Sequence, residues 1–200
     1  MENTGVPNLK DMPLPELEAF LAGLGKERYR ARQIMKCLYQ QGTTSVDQMR
    51  TLSREFREEL SRRVVIDSPR IVKTQTSKDA TKKVLFELKG GNFVESILIP
   101  GKTHWTVCVS TQVGCRMGCR FCLTGKQGLT RNLLPSEIVG QVTALRTEMP
   151  EGPDIKNIVL MGMGEPLDNY DNVVKAIRIF TSDHALGFST RKVTLSTCGL

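Results

Sequence analysis

Apolar positions between residues 13 and 63 return every three or four places, the period of a helix that buries one face. "LPELEAFLAGLG" sets Leu17, Phe20, Leu21 and Leu24 on one stripe and ends at Gly25, a residue suited to the left-handed turn that closes a helix. "KERYRARQIMKCLYQQG" repeats the stripe with Tyr29, Ile34, Leu38 and Tyr39 and stops at Gly42. Ser45 and Gln48 have capping-box spacing ahead of Met49, Leu52, Phe56 and Leu60, which predicts a third helix beginning there. Three short amphipathic helices make a small accessory module over residues 1–66, with Cys37 an apolar filler inside it.

From Arg70 the period shortens. "RIVKTQT", "KKVLFEL", "NFVESILIP" and "HWTVCVST" are short and rich in β-branched residues, and the turn-like "SKDA" and "KGGN" separate the first three. They predict an antiparallel meander, with residues 67–101 as a β linker and the last strand delivering the chain to a cysteine-rich loop. Beyond that loop, "PSEIVGQVTALRTEM" is helical at Ile138, Val142 and Leu145, with Pro135 suited to a first turn. "KNIVLMG" reads as a strand buried on both faces, "NYDNVVKAIRIFTSD" as a helix and "RKVTLST" as a second buried strand. Strand alternating with helix is the mark of a parallel α/β architecture. Residues 102–200 are thus expected to form the first part of an α/β core. About two βα units do not close a barrel, so the chain is expected to be a fragment or a truncated product.

Composition narrows the class. No apolar run reaches the roughly 18–20 residues that cross a bilayer. "MENTGVPNLKDMPLPELEAF" lacks a basic start followed by an apolar stretch, so no secretory signal is read there. The expected location is cytoplasmic, where thiols stay reduced. The six cysteines, at 37, 108, 115, 119, 122 and 198, are then better read as ligands or catalytic thiols than as a disulfide framework. The net charge of +7 is unevenly spread: residues 1–63 carry +2, residues 64–134 carry +7 and residues 135–200 carry −2. A basic surface around a reactive segment fits a polyanion, nucleic acid first, or else a solvated face without a partner.

"GCRMGCRFCLTGKQG" holds Cys115, Cys119 and Cys122 at C-x3-C-x2-C spacing with no second pair nearby. A structural zinc site wants four ligands, and His104, before the preceding strand, is a distant fourth. A cubane of four irons and four sulfides held by three thiolates leaves one iron open to a small molecule. Glycines 114, 118 and 125 would let the backbone wrap closely.

The triad resembles the signature of the radical S-adenosylmethionine (SAM) superfamily. That resemblance implies a [4Fe-4S] cluster on Cys115, Cys119 and Cys122 whose open iron takes the amino and carboxylate groups of SAM. It also implies release of a 5′-deoxyadenosyl radical. Gly164 and Glu165 in "LMGMGEPLDN" resemble the motif that holds the SAM amino group, and Ser196 in "TLSTCG" is a candidate for hydrogen bonds to the same cofactor. On pattern alone, Ser196 is equally a strand-end turn serine.

"CVSTQVGCRMGCRFCLTGKQGLTRNLLPSEIVGQV", "FVESILIP", "NIVLMGMGEPLDNYDNV" and "RKVTLSTCGL" are similar to the dual-specificity methyltransferases that modify C2 of adenosine in 23S rRNA and tRNA. A sister family that methylates C8 shares much of this pattern. The resemblance implies a partial radical SAM (β/α) barrel preceded by the helical module, which binds RNA, and by the antiparallel segment. It implies a methyl group carried on a C-terminal cysteine beyond residue 200. It also implies a covalent RNA adduct, resolved through a disulfide by Cys108, and Glu95 as proton acceptor. On pattern alone Glu95 is a solvent-facing strand carboxylate, and Cys108 a core position between Val107 and Val109. The implied partners are rRNA, tRNA and an electron donor such as flavodoxin or ferredoxin, and the protein is expected to act as a monomer. Arg116, Arg120, Lys126 and Arg131 are expected near the cluster mouth, facing RNA phosphates. Cys198 stands where the family has serine and is expected to be a small-residue replacement. The 200-residue species is expected to bind a cluster poorly and not to turn over. The other readings are a zinc-stabilised RNA-binding module, the C8 methyltransferase and a radical SAM enzyme with a substrate other than nucleic acid.

Overall fold

The computed structural model describes residues 5–148 and 154–200. Residues 1–4 of the helical module and Met149, the last position of the predicted helix after the cysteine loop, lie outside them.

Three helices open the chain: α1 (Leu14–Gly23), α2 (Tyr29–Tyr39) and α3 (Arg54–Ser61). α1 closes as expected, with Gly25 in the left-handed region and the N–H groups of Gly25 and Lys26 donating to the carbonyls of Ala22 and Leu21. Leu17, Leu21, Ile34, Leu38, Met49, Leu52, Phe56 and Leu60 are all buried. Two expectations here are corrected. Tyr29 opens α2 on the solvent side, 48% exposed, with the Arg30 guanidinium over its ring. The third helix is not capped at Ser45. Gln48 instead closes a 3-10 turn by accepting from the Thr44 N–H at 3.0 Å, and α3 starts at Ser53, whose hydroxyl accepts from Phe56 N. A parallel bridge between Asn8 and Val65 ties the two ends of the module together.

The rest is a single mixed sheet, a two-stranded ribbon and helices. The strands are β1 (Arg70–Thr76), β2 (Lys82–Glu87), β3 (Phe93–Pro100), β4 (Trp105–Cys108), β5 (Gln112–Cys115), β6 (Gly128–Asn132), β7 (Ile155–Leu160) and β8 (Val193–Leu195). The helices are α4 (Leu123–Lys126), α5 (Pro135–Glu148) and α6 (Tyr170–Thr181). The main sheet has the order β1-β2-β3-β4-β7-β8. β1 to β4 are antiparallel as the meander predicts, whereas β4, β7 and β8 run parallel. β4 therefore belongs to both halves, and the antiparallel segment is continuous with the α/β part.

One sheet face is packed and the other open. Val84, Phe86, Val94, Leu98, Val107, Ile158 and Leu160 share a core with Ile138, Val142, Val173, Ile179 and Phe180 from α5 and α6. The alternate positions, Lys83, Leu85, Glu95, Ile97, Thr106, Cys108, Val159 and Thr194, face the other way by register. β7 is thus buried on one face only, its pattern alternating rather than uniform. β8, predicted to be buried, is half-exposed: among the described residues it pairs with β7 alone and forms the sheet edge. The helical module sits against α5 and α6. Asp11 accepts from the Ser136 N–H at 2.8 Å, and Lys175 pairs with Glu16 at 2.8 Å.

Candidate functional site

The C-terminal ends of β4 and β7 are zipped together above the sheet. Gly162 N donates to Val109 O at 3.1 Å, Thr111 N to Met163 O at 2.8 Å, and Glu165 N to the Gln112 side-chain oxygen at 2.8 Å. This approach is why glycines are required here. A Cβ on Gly162 would lie 2.7 Å from the Val109 carbonyl, and one on Gly164, whose φ is +107°, would lie 2.6 Å from the Gln112 side chain. The glycine-rich segment is fitted first to its own chain.

Two buried amides hold the root of the cysteine ribbon. Gln141 on α5, fully buried, accepts from Ser96 Oγ at 2.7 Å and Ser110 N at 2.9 Å, and donates to Ser110 O at 2.9 Å and Glu137 O at 3.1 Å. Asn169 donates to the carbonyls of Thr111 and Leu133, one on each leg of the β5–β6 ribbon, both at 2.8 Å. Gln112 bridges Asn132 and Asp168, and Arg116 pairs with Asp168 at 2.8 Å. The Arg116 and Gln112 hydrogen bonds hold the Asp168 carboxyl below the usual carboxylate range. Apart from Arg116, none of these positions was picked out from sequence. The available signal was a glutamine on the apolar stripe of Ile138, Val142 and Leu145.

The ribbon carries the thiols. Cys115 is buried in β5 opposite Gly128, one residue past a bulge whose extra residue is Thr130 of β6, between the Val113–Arg131 and Gly114–Leu129 pairs. Gly114 has φ +76°, and a Cβ there would overlap the Gly128 carbonyl oxygen. Cys122 N donates to Cys119 O at 3.0 Å, closing a turn, and Gly125 packs on the Cys119 N–H. These glycines likewise serve backbone-to-backbone contact. All six cysteines are free, so the structure contains no disulfide. Among the described residues no three His, Cys, Asp or Glu side chains surround a common point. The donor chemistry nevertheless fits a thiophilic centre with one open position: three free thiols on one loop. His104 lies at the opposite end of β4, with its ring nitrogens at Asn157 and Thr103.

Glu165 is 5% exposed, and its two oxygens accept from Leu167 N at 3.0 Å and Cys198 N at 2.9 Å. Burial pushes its carboxyl up, but hydrogen bonds from Thr197, Cys198 and Leu167 outweigh it, so the group stays ionised below the usual range. The Glu165 carboxylate, hydrogen-bonded to the Cys198 thiol, raises that thiol's pKa. Cys198 is therefore a partner of Glu165 and not merely a small filler. Ser196, just past β8, is exposed, with its N–H 3.5 Å from Leu160 O.

Glu95 and Cys108 fall on the same open sheet face. Cys108 is opposite Ile97, which makes Glu95 its diagonal neighbour, about 7 Å away for such positions. Glu95 pairs with Lys83 at 3.1 Å. Cys108 is 7% exposed, and burial raises its thiol pKa against a hydrogen bond from Met161 N. A raised thiol favours folding below its unfolded pKa, and that contribution is lost as pH climbs through the folded value. Alkylation of Cys108 by iodoacetamide, followed by peptide mass spectrometry, should accordingly lag an unfolded cysteine peptide until well above the ordinary thiol range. Two of the four basic side chains expected near RNA carry carboxylate partners. Arg131 is held bidentately by Glu137 at 2.7 Å on both oxygens, and Arg116 by Asp168, so both serve the ribbon. Arg120 and Lys126 are exposed.

Thiols on a loop at the C-terminal ends of parallel strands define the class, and the comparisons agree. Residues 7–66 match the ribosomal RNA large subunit methyltransferase N-terminal domain, and residues 109–200 match the radical SAM superfamily. The chain is 62% identical over 193 residues to the dual-specificity RNA methyltransferase RlmN of Syntrophus aciditrophicus (strain SB), covering 96% of this chain and 56% of that protein. It is 52% identical to the RlmN of Geotalea uraniireducens (strain Rf4), covering 96% and 55%. The crystal structure of a radical SAM methyltransferase from Sphaerobacter thermophilus superposes with a TM-score of 0.86 at 41% identity, covering 97% of this chain and 57% of that one. The chain belongs to the RlmN family of radical SAM methyltransferases. It spans about half the length of the curated relatives it matches.

Proposed function

We propose that this chain supplies the cluster- and SAM-binding half of a methyltransferase acting on C2 of adenosine in rRNA and tRNA. What supports the reading most is the single open sheet face that carries Glu95 and Cys108 beside a loop of three free thiols. Cys115, Cys119 and Cys122 would hold a [4Fe-4S] cluster. With SAM bound, that group supplies a radical able to act on a carbon that is not nucleophilic, where direct methyl transfer is unfavourable. Glu165, ionised, suits the SAM ammonium; its two oxygens have lone pairs left after Leu167 and Cys198. Gly164 and Ser196 border the same place. Glu95 is the proton acceptor, and Cys108 stays a thiol at neutral pH, ready to resolve an RNA adduct once deprotonated. The methyl-carrying cysteine belongs to the part of the relatives that this chain does not span. The target base must leave its stack to reach such a site. An electron donor of the flavodoxin or ferredoxin type, a cytoplasmic setting and a monomeric state go with this reading. So does the division into an RNA-binding module at 1–66, a β segment at 67–101 and a core at 102–200.

Anaerobic reconstitution with iron and sulfide tests it. The expected result is broad visible absorption from iron–sulfide charge transfer, abolished in Cys115→Ala. A colourless protein carrying stoichiometric zinc would contradict the proposal.

A further inference from the structure

Part of the basic excess lies away from the thiols. Residues 68–92 include Arg70, Lys73, Lys78, Lys82, Lys83 and Lys89 against only Asp79 and Glu87. They form the β1–β2 hairpin at the sheet edge opposite β8. β1 contributes little to the core: six of its seven residues are exposed, including Val72 at 40%. A strand this open, flanked by hydroxyl and amide side chains from Thr74 to Ser77, is not held there by burial.

The acidic groups of the hairpin are already engaged. Asp79 is folded back on its own turn, accepting from Ser77 Oγ, Thr81 N and Thr81 Oγ1. Those bonds, Ser77 first, keep its carboxyl below the usual range, so it stays ionised within the turn. Glu87 pairs with Arg70, and Asp67 at the hairpin base pairs with Lys89. Lys73 and Lys78 are exposed and have no carboxylate partner among the described residues. By register Lys73 and Gln75 lie on the same open face as Lys83, Glu95 and Cys108. β1 to β4 is three strand spacings, roughly 14 Å.

We propose that the β1–β2 hairpin is a docking rail for an RNA phosphate backbone, with Lys73, Lys78 and the polar edge of β1 as its contacts. The rail leads a strand across the open face toward Glu95 and Cys108. Phosphate contacts of this kind position without reading sequence, which suits an enzyme that must serve two RNAs. The proposal rests on the RNA reading above and goes beyond it by assigning the surface.

The test uses the 200-residue chain and a short fluorescein-labelled single-stranded RNA, with anisotropy titrated across salt concentrations. Lys73→Gln/Lys78→Gln should flatten the slope of log affinity against log salt by roughly 1.4, and weaken binding some ten- to thirtyfold at about 0.1 M salt. Lys156→Gln/Lys192→Gln changes net charge equally at the other end of the molecule and should leave both nearly unchanged. If both pairs weaken binding alike, or neither does, the rail is overturned while the methyltransferase reading stands on its iron–sulfur test. If the unaltered chain binds no RNA even at low salt, the RNA reading falls with it.

Discussion

Gly114→Ala is expected to leave the chain unable to load iron and sulfide, at the level of Cys115→Ala. Two costs combine beside the bulge. An alanine at φ +76° carries strain of about 1–3 kcal/mol. Its methyl group would also overlap the Gly128 carbonyl oxygen, so β5 and β6 must separate where Cys115 is held. The neighbouring strand is backbone, which has no rotamer to yield. Gly128→Ala is the control. Gly128 has φ +71°, but a Cβ there meets nothing within 4 Å, so the same backbone strain of about 1–3 kcal/mol is added without the overlap. Iron and acid-labile sulfide per chain after anaerobic reconstitution should separate the two variants sharply. Equal loading in both would show that ribbon geometry does not govern the thiols.

Gln141→Met should destabilise the fold by about 3–5 kcal/mol, read by urea denaturation. Methionine keeps the length and nearly the volume, so packing is largely preserved. What is lost is four hydrogen bonds inside the protein, stranding Ser96 Oγ and both backbone groups of Ser110 without partners. Leaving such groups buried and unpaired costs roughly 1–3 kcal/mol each, not fully additively. Ser110 also donates to Glu95 O at 2.6 Å and accepts from Met163 N at 2.9 Å, so the β4 end and the glycine segment loosen with it. A change below about 1 kcal/mol would mean that water replaces the amide.

Local pattern carried much of the architecture into the sequence. Ile138, Val142 and Leu145 repeat at helical spacing and are buried on α5; "NFVESILIP" alternates and puts Val94, Ser96 and Leu98 in the core. Glu95 and Cys108 were legible as residues, but their sharing of one face needed the β3–β4 register. Ser45 misled because its spacing to Gln48 mimics a cap, while the helix that forms takes Ser53 eight positions on. The glycines at 162 and 164 were visible, yet their partner strand lies some fifty residues earlier, and no local rule names it. Arg131 and Arg116 looked free because their carboxylates, Glu137 and Asp168, come from other elements. Buried amides such as Gln141 and Asn169 are the hardest to read, since a polar letter in an apolar stripe says that a bond is needed but not with what.

The change of pairing at β4 bears on the order in which the molecule assembles. β1, β2 and β3 join sequence neighbours through tight turns, contacts that close quickly and cheaply. β4 meets β7 only after Trp105 finds Ile155 across the ribbon and α5, a long closure with a larger entropic toll. The thiols hang within that closure. The meander can thus pair before this closure, whereas the root of the thiol ribbon, tied to Asn169 beyond β7, reaches its final seat only once β7 has joined the sheet.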